Sequence, residues 1–158
     1  MYFNHYFDNL VIKSDARSLK LKLLMEVNSS MRNLILYNFD EFLEEAMPVL
    51  IEDSTGRPAC LCYASTVADK VAEVDIITLP EHRGKGLAKV SGEEFVAGCL
   101  RKGILPNWDC FEENTASLKT AQSLGFTRLR EYQFLSVFAT FCVFLCVFVC
   151  FCVFLCFC

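Results

Sequence analysis

Histidine is nearly absent from this 158-residue chain: His5 and His82 are the only two. Cys60-x-Cys62 has no second ligand pair to go with it, so no metal site is expected. Basic residues are also short. Fifteen Lys and Arg stand against nineteen Asp and Glu, for a net charge of −4, which gives no electrostatic reason to expect a nucleic-acid partner. The first eight residues are polar and aromatic and carry no basic n-region, so no secretory signal is read there. Up to residue 136 there are four cysteines, Cys60, Cys62, Cys99 and Cys110, too few for a disulfide scaffold. The expectation is a cytoplasmic protein with these thiols free. Charge itself then stops: residues 132–158, 27 positions, contain none.

What is present divides into two unlike parts. Residues 137–158 hold six Cys, seven Phe, five Val, two Leu, one Ala and one Thr. The remaining 136 residues have 64 apolar positions, 47%, which is the composition of an ordinary soluble domain. The length allows about one domain. The organisation read from the sequence is therefore a domain over 1–136 followed by a low-complexity hydrophobic tail over 137–158.

Within the domain, 9–12 reads as a short first strand. Ser14-Asp15 offers an N-cap ahead of Leu19, Leu21, Leu23, Leu24 and Met25, a helix, although the Leu/Lys alternation at 19–23 also fits a strand. Residues 38–47 form an amphipathic helix with acids in its first turns, ended by Pro48. Two apolar runs, 49–52 and 58–64, flank Asp53-Ser54-Thr55-Gly56-Arg57 and predict a hairpin. A strand over 71–79 puts Val71, Glu73, Asp75 and Ile77 on one face and Ala72, Val74 and Ile76 on the other. After Pro80 come a glycine loop, a helix over 87–101, a strand over 105–111 around Trp108, a helix over 114–124 with Gly125 beyond it, and a strand over 126–134. The order predicts an α/β domain with a mixed sheet.

The stretch that carries chemistry is Arg83-Gly84-Lys85-Gly86-Leu87-Ala88, between a strand and a helix start. Two glycines let the backbone approach a ligand closely. The first N–H groups of the helix favour an anion, and Arg83 and Lys85 add positive charge. The loop thus suits a phosphate or pyrophosphate, although a ligand-free basic turn before a helix has the same local sequence. It is neither a Walker A loop, since no Gly-Lys-Ser/Thr closes it, nor a dinucleotide loop, since Lys89 occupies the third glycine position.

Arg83-x-x-Gly86-x-Ala88 matches the Arg/Gln-x-x-Gly-x-Gly/Ala pyrophosphate motif of the Gcn5-related N-acetyltransferase (GNAT) superfamily. The chain resembles that superfamily over about 49–132. The strand Val74-Asp75-Ile76-Ile77-Thr78 resembles its fourth strand. The hairpin around 53–56 resembles its second and third. Asn114-x-x-Ser117-x-x-x-Ala121-x-x-Leu124-Gly125-Phe126 resembles its second CoA-side motif. Trp108-Asp109-Cys110 followed by Asn114 is most similar to a branch with antibiotic-resistance-like members.

The resemblance implies a central mixed sheet flanked by helices and acetyl-CoA as co-substrate, with no metal. It implies that the backbone of Ile77 and Thr78 holds the acetyl carbonyl and pantetheine, one N–H serving as oxyanion donor. It implies that Arg83, Gly84, Lys85, Gly86, Leu87 and Ala88 cradle the pyrophosphate. Asn114 either contacts the pantetheine side or caps the helix, or does both. A carboxylate base for the attacking amine falls to Glu73 or Asp75, which share one strand face that is otherwise simply solvated, and Glu73 is favoured because the resembling branch tends to carry an acid there. The tyrosine that many members use as general acid is replaced by Ala121, leaving Tyr132 as a distant substitute. Cys110 lacks the His and acid of a thiol-dependent enzyme and reads as a small hydrophobe. The implied reaction is direct acetyl transfer to a small-molecule primary amine. A CoA-binding protein with impaired catalysis is the alternative.

The tail carries three readings. As a helix, its 22 residues would span about 33 Å and could anchor the chain in a membrane. As a Phe/Val/Cys run it suits a strand and could supply the closing strand that the fold otherwise lacks. As a repeat of residues with T-rich codons, it could come from a simple DNA repeat after a frame change.

Overall fold

The computed structural model describes residues 11–13, 44–139 and 145–157, with side-chain surroundings over 44–133. The readings at 14–25 and at 38–43 lie outside the described residues. Two compact units divide the chain, Met1–Pro106 and Asn107–Cys158.

The first unit holds strands β1 (Val11–Lys13), β2 (Val49–Glu52), β3 (Pro58–Ala68) and β4 (Val71–Thr78), and helix α1 (Leu87–Arg101). Each strand pairs antiparallel with the next, in the order β1-β2-β3-β4. The helical residues 44–46 stop at Met47, whose φ of 48° and the following Pro48 cannot continue a helix. The β2–β3 turn is tied by Asp53, whose Oδ1 accepts from the N–H groups of Thr55 (2.9 Å) and Arg57 (3.0 Å). The sequence points to Gly56 for this turn, and Gly56 has a φ of 76°; the aspartate bonds are an addition that the structure shows.

The second turn was harder to foresee. β3 runs on to Ala68, four residues past the expected end, and reverses through Asp69 and Lys70 alone, with φ of 49° and 62°. Two positive φ angles match the twist of flanking strands, but this geometry usually announces itself as Asn-Gly or Asp-Gly.

Both sheet faces are covered. On one, Leu50, Leu61 and Tyr63 cluster with Ala46, and Ile77 packs against them. On the other, Ile51, Ala59 and Cys60 meet Leu87 of α1, with Ile76 and Val90 alongside. The buried positions of α1 include Leu87, Ser91, Phe95 and Cys99. Their four-residue spacing makes one stripe along the helix. A fully buried side chain such as Phe95 contributes about 2 kcal/mol through removal from water.

The chain passes through β5 (Leu105–Phe111) into the second unit, which also contains helix α2 (Thr115–Ser123) and strands β6 (Phe126–Ala139) and β7 (Leu145–Phe157). β7 pairs antiparallel with β5, from Asn107↔Cys156 to Phe111↔Cys152, and with β6, from Phe126↔Phe157 to Ala139↔Leu145. Between the helix and the strand readings of the tail, residues 145–157 adopt the strand. β6 extends five residues past its expected end because β7 gives it a hydrogen-bonding partner that far. Among the described residues no helix is long and apolar enough to cross a membrane.

Trp108 is buried at the centre of β5, edge-on to Phe126 at 5.4 Å between ring centroids. Its Nε1–H donates to Ser117 Oγ at 2.9 Å, so the buried indole is both packed and hydrogen-bonded.

Candidate active site

The 83–88 loop stands where the sequence puts it. β4 ends at Thr78, a 3-10 turn spans Pro80–His82, and α1 opens at Leu87 with Gly86 as its N-cap. Gly84 and Gly86 have φ of 73° and 76°, a left-handed backbone that costs an L-residue about 1–2 kcal/mol. Nothing lies within 4 Å of where a Cβ would stand at either glycine. The glycines are thus required by the path of the chain, and the space beside them is open. No side chain caps α1 and its first turn holds no acid. Its leading N–H groups and the positive end of its dipole are accordingly directed at that space. Gly84, Lys85 and Gly86 are exposed, and Ala88 is half-buried.

Arg83 does more than add charge. Its Nε–H donates to the Thr78 carbonyl at 3.1 Å, which brings the loop and the end of β4 together. Thr78 is also tied inward, its Oγ1 donating to Cys60 Sγ at 3.2 Å, and Cys60 meets Ser91 Oγ of α1 at 3.2 Å. The strand end, the neighbouring strand and the helix are thereby locked at one point, beside the Ile77 and Thr78 backbone.

Glu73 and Asp75 lie on β4, both half-buried, and Ile77 beyond them packs with Leu61 and Tyr63. The alternation of a strand puts all three on that face, away from α1. Tyr63, fully buried, was not singled out by sequence. It sits directly across the ladder from Asp75 and donates its phenol proton to Asp75 Oδ2 at 2.5 Å. Burial, followed by the Asp75 carboxylate, pushes the Tyr63 phenol well above its ordinary range, so it stays a donor. The signal for it was the hairpin register, but β3 carries a bulge between Ala64 and Thr66 that residue counting does not reveal.

A second unforeseen group surrounds His82. The ring is buried, with Nε2 3.7 Å from Asp53 Oδ2 and Nδ1 3.5 Å from Lys85 Nζ. Bonds from the Thr55 hydroxyl and the Arg57 and Thr55 N–H groups, with the Arg57 charge, hold the Asp53 carboxyl well below the usual carboxylate range.

Asn114 belongs to the second unit, where its Oδ1 caps α2 by accepting from Ser117 N–H at 3.1 Å. Ala121 is fully enclosed. The Tyr132 hydroxyl donates to Asp109 in the same unit. Cys60, Cys62, Cys99 and Cys110 are free and buried, and burial raises all four thiols, Cys99 to about 11. Thiols held protonated are poor nucleophiles, which suits the reading of Cys110 as a packing residue. Among the described residues no three His, Cys, Asp or Glu side chains converge as metal ligands would.

The model of the GNAT acetyltransferase family matches residues 14–135. The chain belongs to that family. The uncharacterized N-acetyltransferase YdfB of Bacillus subtilis (strain 168) is 42% identical over 71 residues, 45% of this chain, and the match spans 27% of that relative's length. Among solved structures, yncA of Salmonella typhimurium with its cofactor acetyl-CoA is similar at a TM-score of 0.62 and 18% identity, over 93% of this chain and 92% of that one. The ribosomal-protein-S5-alanine acetyltransferase of Vibrio fischeri is similar at 0.68 and 12% identity, over 96% of this chain and 93% of its own. These GNAT proteins share with the chain a mixed α/β fold, a central mixed sheet flanked by helices.

Proposed function

We propose that this GNAT chain transfers an acetyl group from acetyl-CoA to a primary amine of a small molecule. The observation that carries the proposal is the uncapped start of α1 behind two left-handed glycines with open space beside them. Acetyl-CoA supplies the acetyl group as a thioester. The backbone from Gly84 to Ala88 would hold its pyrophosphate, with Arg83 and Lys85 adding charge. The N–H of Ile77 or Thr78 would donate to the acetyl oxygen as it gains charge, a contribution of about 3 kcal/mol when such a donor is lost. Asn114 would serve the pantetheine side in addition to capping α2.

The attacking amine must be neutral, so a carboxylate has to take its proton. Asp75 accepts a hydrogen bond from the Tyr63 hydroxyl, and the base role is assigned to Glu73 on the same strand face, where the resembling branch tends to carry an acid. The acetyl carbon then forms its bond to the amine nitrogen, its bond to sulfur breaks, and coenzyme A leaves.

Isothermal titration of the full chain with acetyl-CoA tests the reading. The parent protein is expected to give binding heat. Gly86→Glu, which sets a carboxylate at a left-handed position beside the anion site, is expected to give none. No heat from the parent at millimolar ligand overturns the proposal. Turnover is best followed by mass of the acetylated amine, because a thiol dye would also report cysteines of the chain, which has ten.

A second reading is favoured by Ala121, which is fully enclosed where many relatives offer a tyrosine. On that reading the chain binds acetyl-CoA and turns over poorly. Binding heat without acetylated product across a panel of amines would select it.

A further inference from the structure

We infer that Asp53 and His82 are positioning residues for the acetyl-CoA loop, acting through Lys85; this rests on the acetyl-CoA reading above. Strands β3 and β4 separate the hairpin turn holding Asp53 from the loop holding Lys85 in sequence, yet one buried imidazole touches both. Its Nε2 stands 3.7 Å from Asp53 Oδ2 and its Nδ1 stands 3.5 Å from Lys85 Nζ. The two neighbours have opposite charge, and this selects one form of the ring. A carboxylate attracts a proton on Nε2. An ammonium needs a lone pair on Nδ1. A proton on Nε2 and a lone pair on Nδ1 suit both neighbours.

The Asp53 end is anchored. Oδ1 accepts from Thr55 N–H, from the Thr55 hydroxyl at 2.6 Å and from Arg57 N–H, while Oδ2 faces His82 and the Arg57 guanidinium at 3.4 Å. The His82 end is anchored by its own N–H, which donates to the Leu79 carbonyl at 2.9 Å. Lys85, in contrast, lies between two glycines, the residue type with the freest backbone. The contact with His82 gives this exposed ammonium a fixed place at the start of α1, where a phosphate would meet it. An ordered cation binds an anion more tightly than a free one, because less side-chain entropy is lost on binding.

The test uses Asp53→Asn in the full chain. The substitution keeps an Oδ1 acceptor for the turn but presents an NH2 to His82, so the ring turns its lone pair toward residue 53 and its proton toward Lys85. The KM for acetyl-CoA is expected to rise about tenfold with kcat little changed. A loss of stability alone would leave the KM of the folded protein where it was. In a Lys85→Met background the same substitution is expected to have no further effect, since the route through Lys85 is gone. Equal effects of Asp53→Asn with and without Lys85 overturn the inference, as does an unchanged KM. If the parent protein shows no acetyl-CoA binding at all, the functional reading fails and takes this inference with it; binding that Asp53→Asn leaves intact overturns this inference alone.

Discussion

Two carboxylates on β4 look alike in the sequence and differ in what faces them across the ladder. Asp75 accepts a hydrogen bond from a buried tyrosine, whereas Thr66 stands opposite Glu73. Glu73→Gln is expected to lower kcat by about 10²–10⁴-fold with acetyl-CoA binding retained. Equal rates for the variant and the parent would remove Glu73 from the mechanism. Asp53 gives a different kind of prediction. Its folded carboxyl lies below the ordinary value of 3.8. A carboxyl shifted in this direction adds stability that is present above its unfolded value and is lost as pH falls through its folded one. The parent's advantage over Asp53→Asn should be constant above about pH 4 and shrink below it, as read from denaturant midpoints across an acid series. That Glu73 and Asp75 share one face was legible from the strand period, and their candidacy as the base came from the family resemblance. Tyr63 and His82 were not legible, because their roles depend on which residue faces them across a ladder or a turn, and one bulge moves that partner by a position.

Elements with a local signal came through the sequence cleanly. β2 and the turn that follows it, α1, β5 and α2 lie within a residue or so of expectation, since turn residues, caps and period mark their ends. The β3–β4 reversal was obscured because Asp69-Lys70 is not a usual two-residue turn. For α2, Asn114 combines a cap that is present with a pantetheine contact that is proposed. Three variants separate them. Asn114→Ala should cost about 1 kcal/mol of stability through the lost cap. Asn114→Ser and Asn114→Asp should keep the cap. If the amide also serves acetyl-CoA, all three should weaken its binding while only the alanine variant melts early. Unchanged binding in the serine variant would confine Asn114 to the helix.

For the molecule as a whole, the closing strand was the least legible part. An unbroken apolar run has no two-residue alternation, so neither its register nor its sheet partners can be read from composition. The structure inserts 145–157 between β5 and β6 and pairs it on both sides. A chain ended at residue 136 would leave those two strands without that shared neighbour. Such a truncation is expected to lose a single cooperative melting transition and to aggregate, since unpaired strand edges recruit other chains. A truncated protein that melts as sharply as the full chain, at a similar temperature, would make β7 dispensable.

A strand paired on both flanks is specified mainly by its backbone, whose donors and acceptors are the same whatever side chains it carries. The run that fills this position is written in four or so kinds of residue, almost a single repeated syllable. Drift within it should therefore be cheap for as long as β-forming residues are exchanged for one another, and costly at once where a proline enters and silences a donor. In this protein the last piece of the sheet asks for very little information, and a stretch of nearly meaningless sequence is enough to provide it.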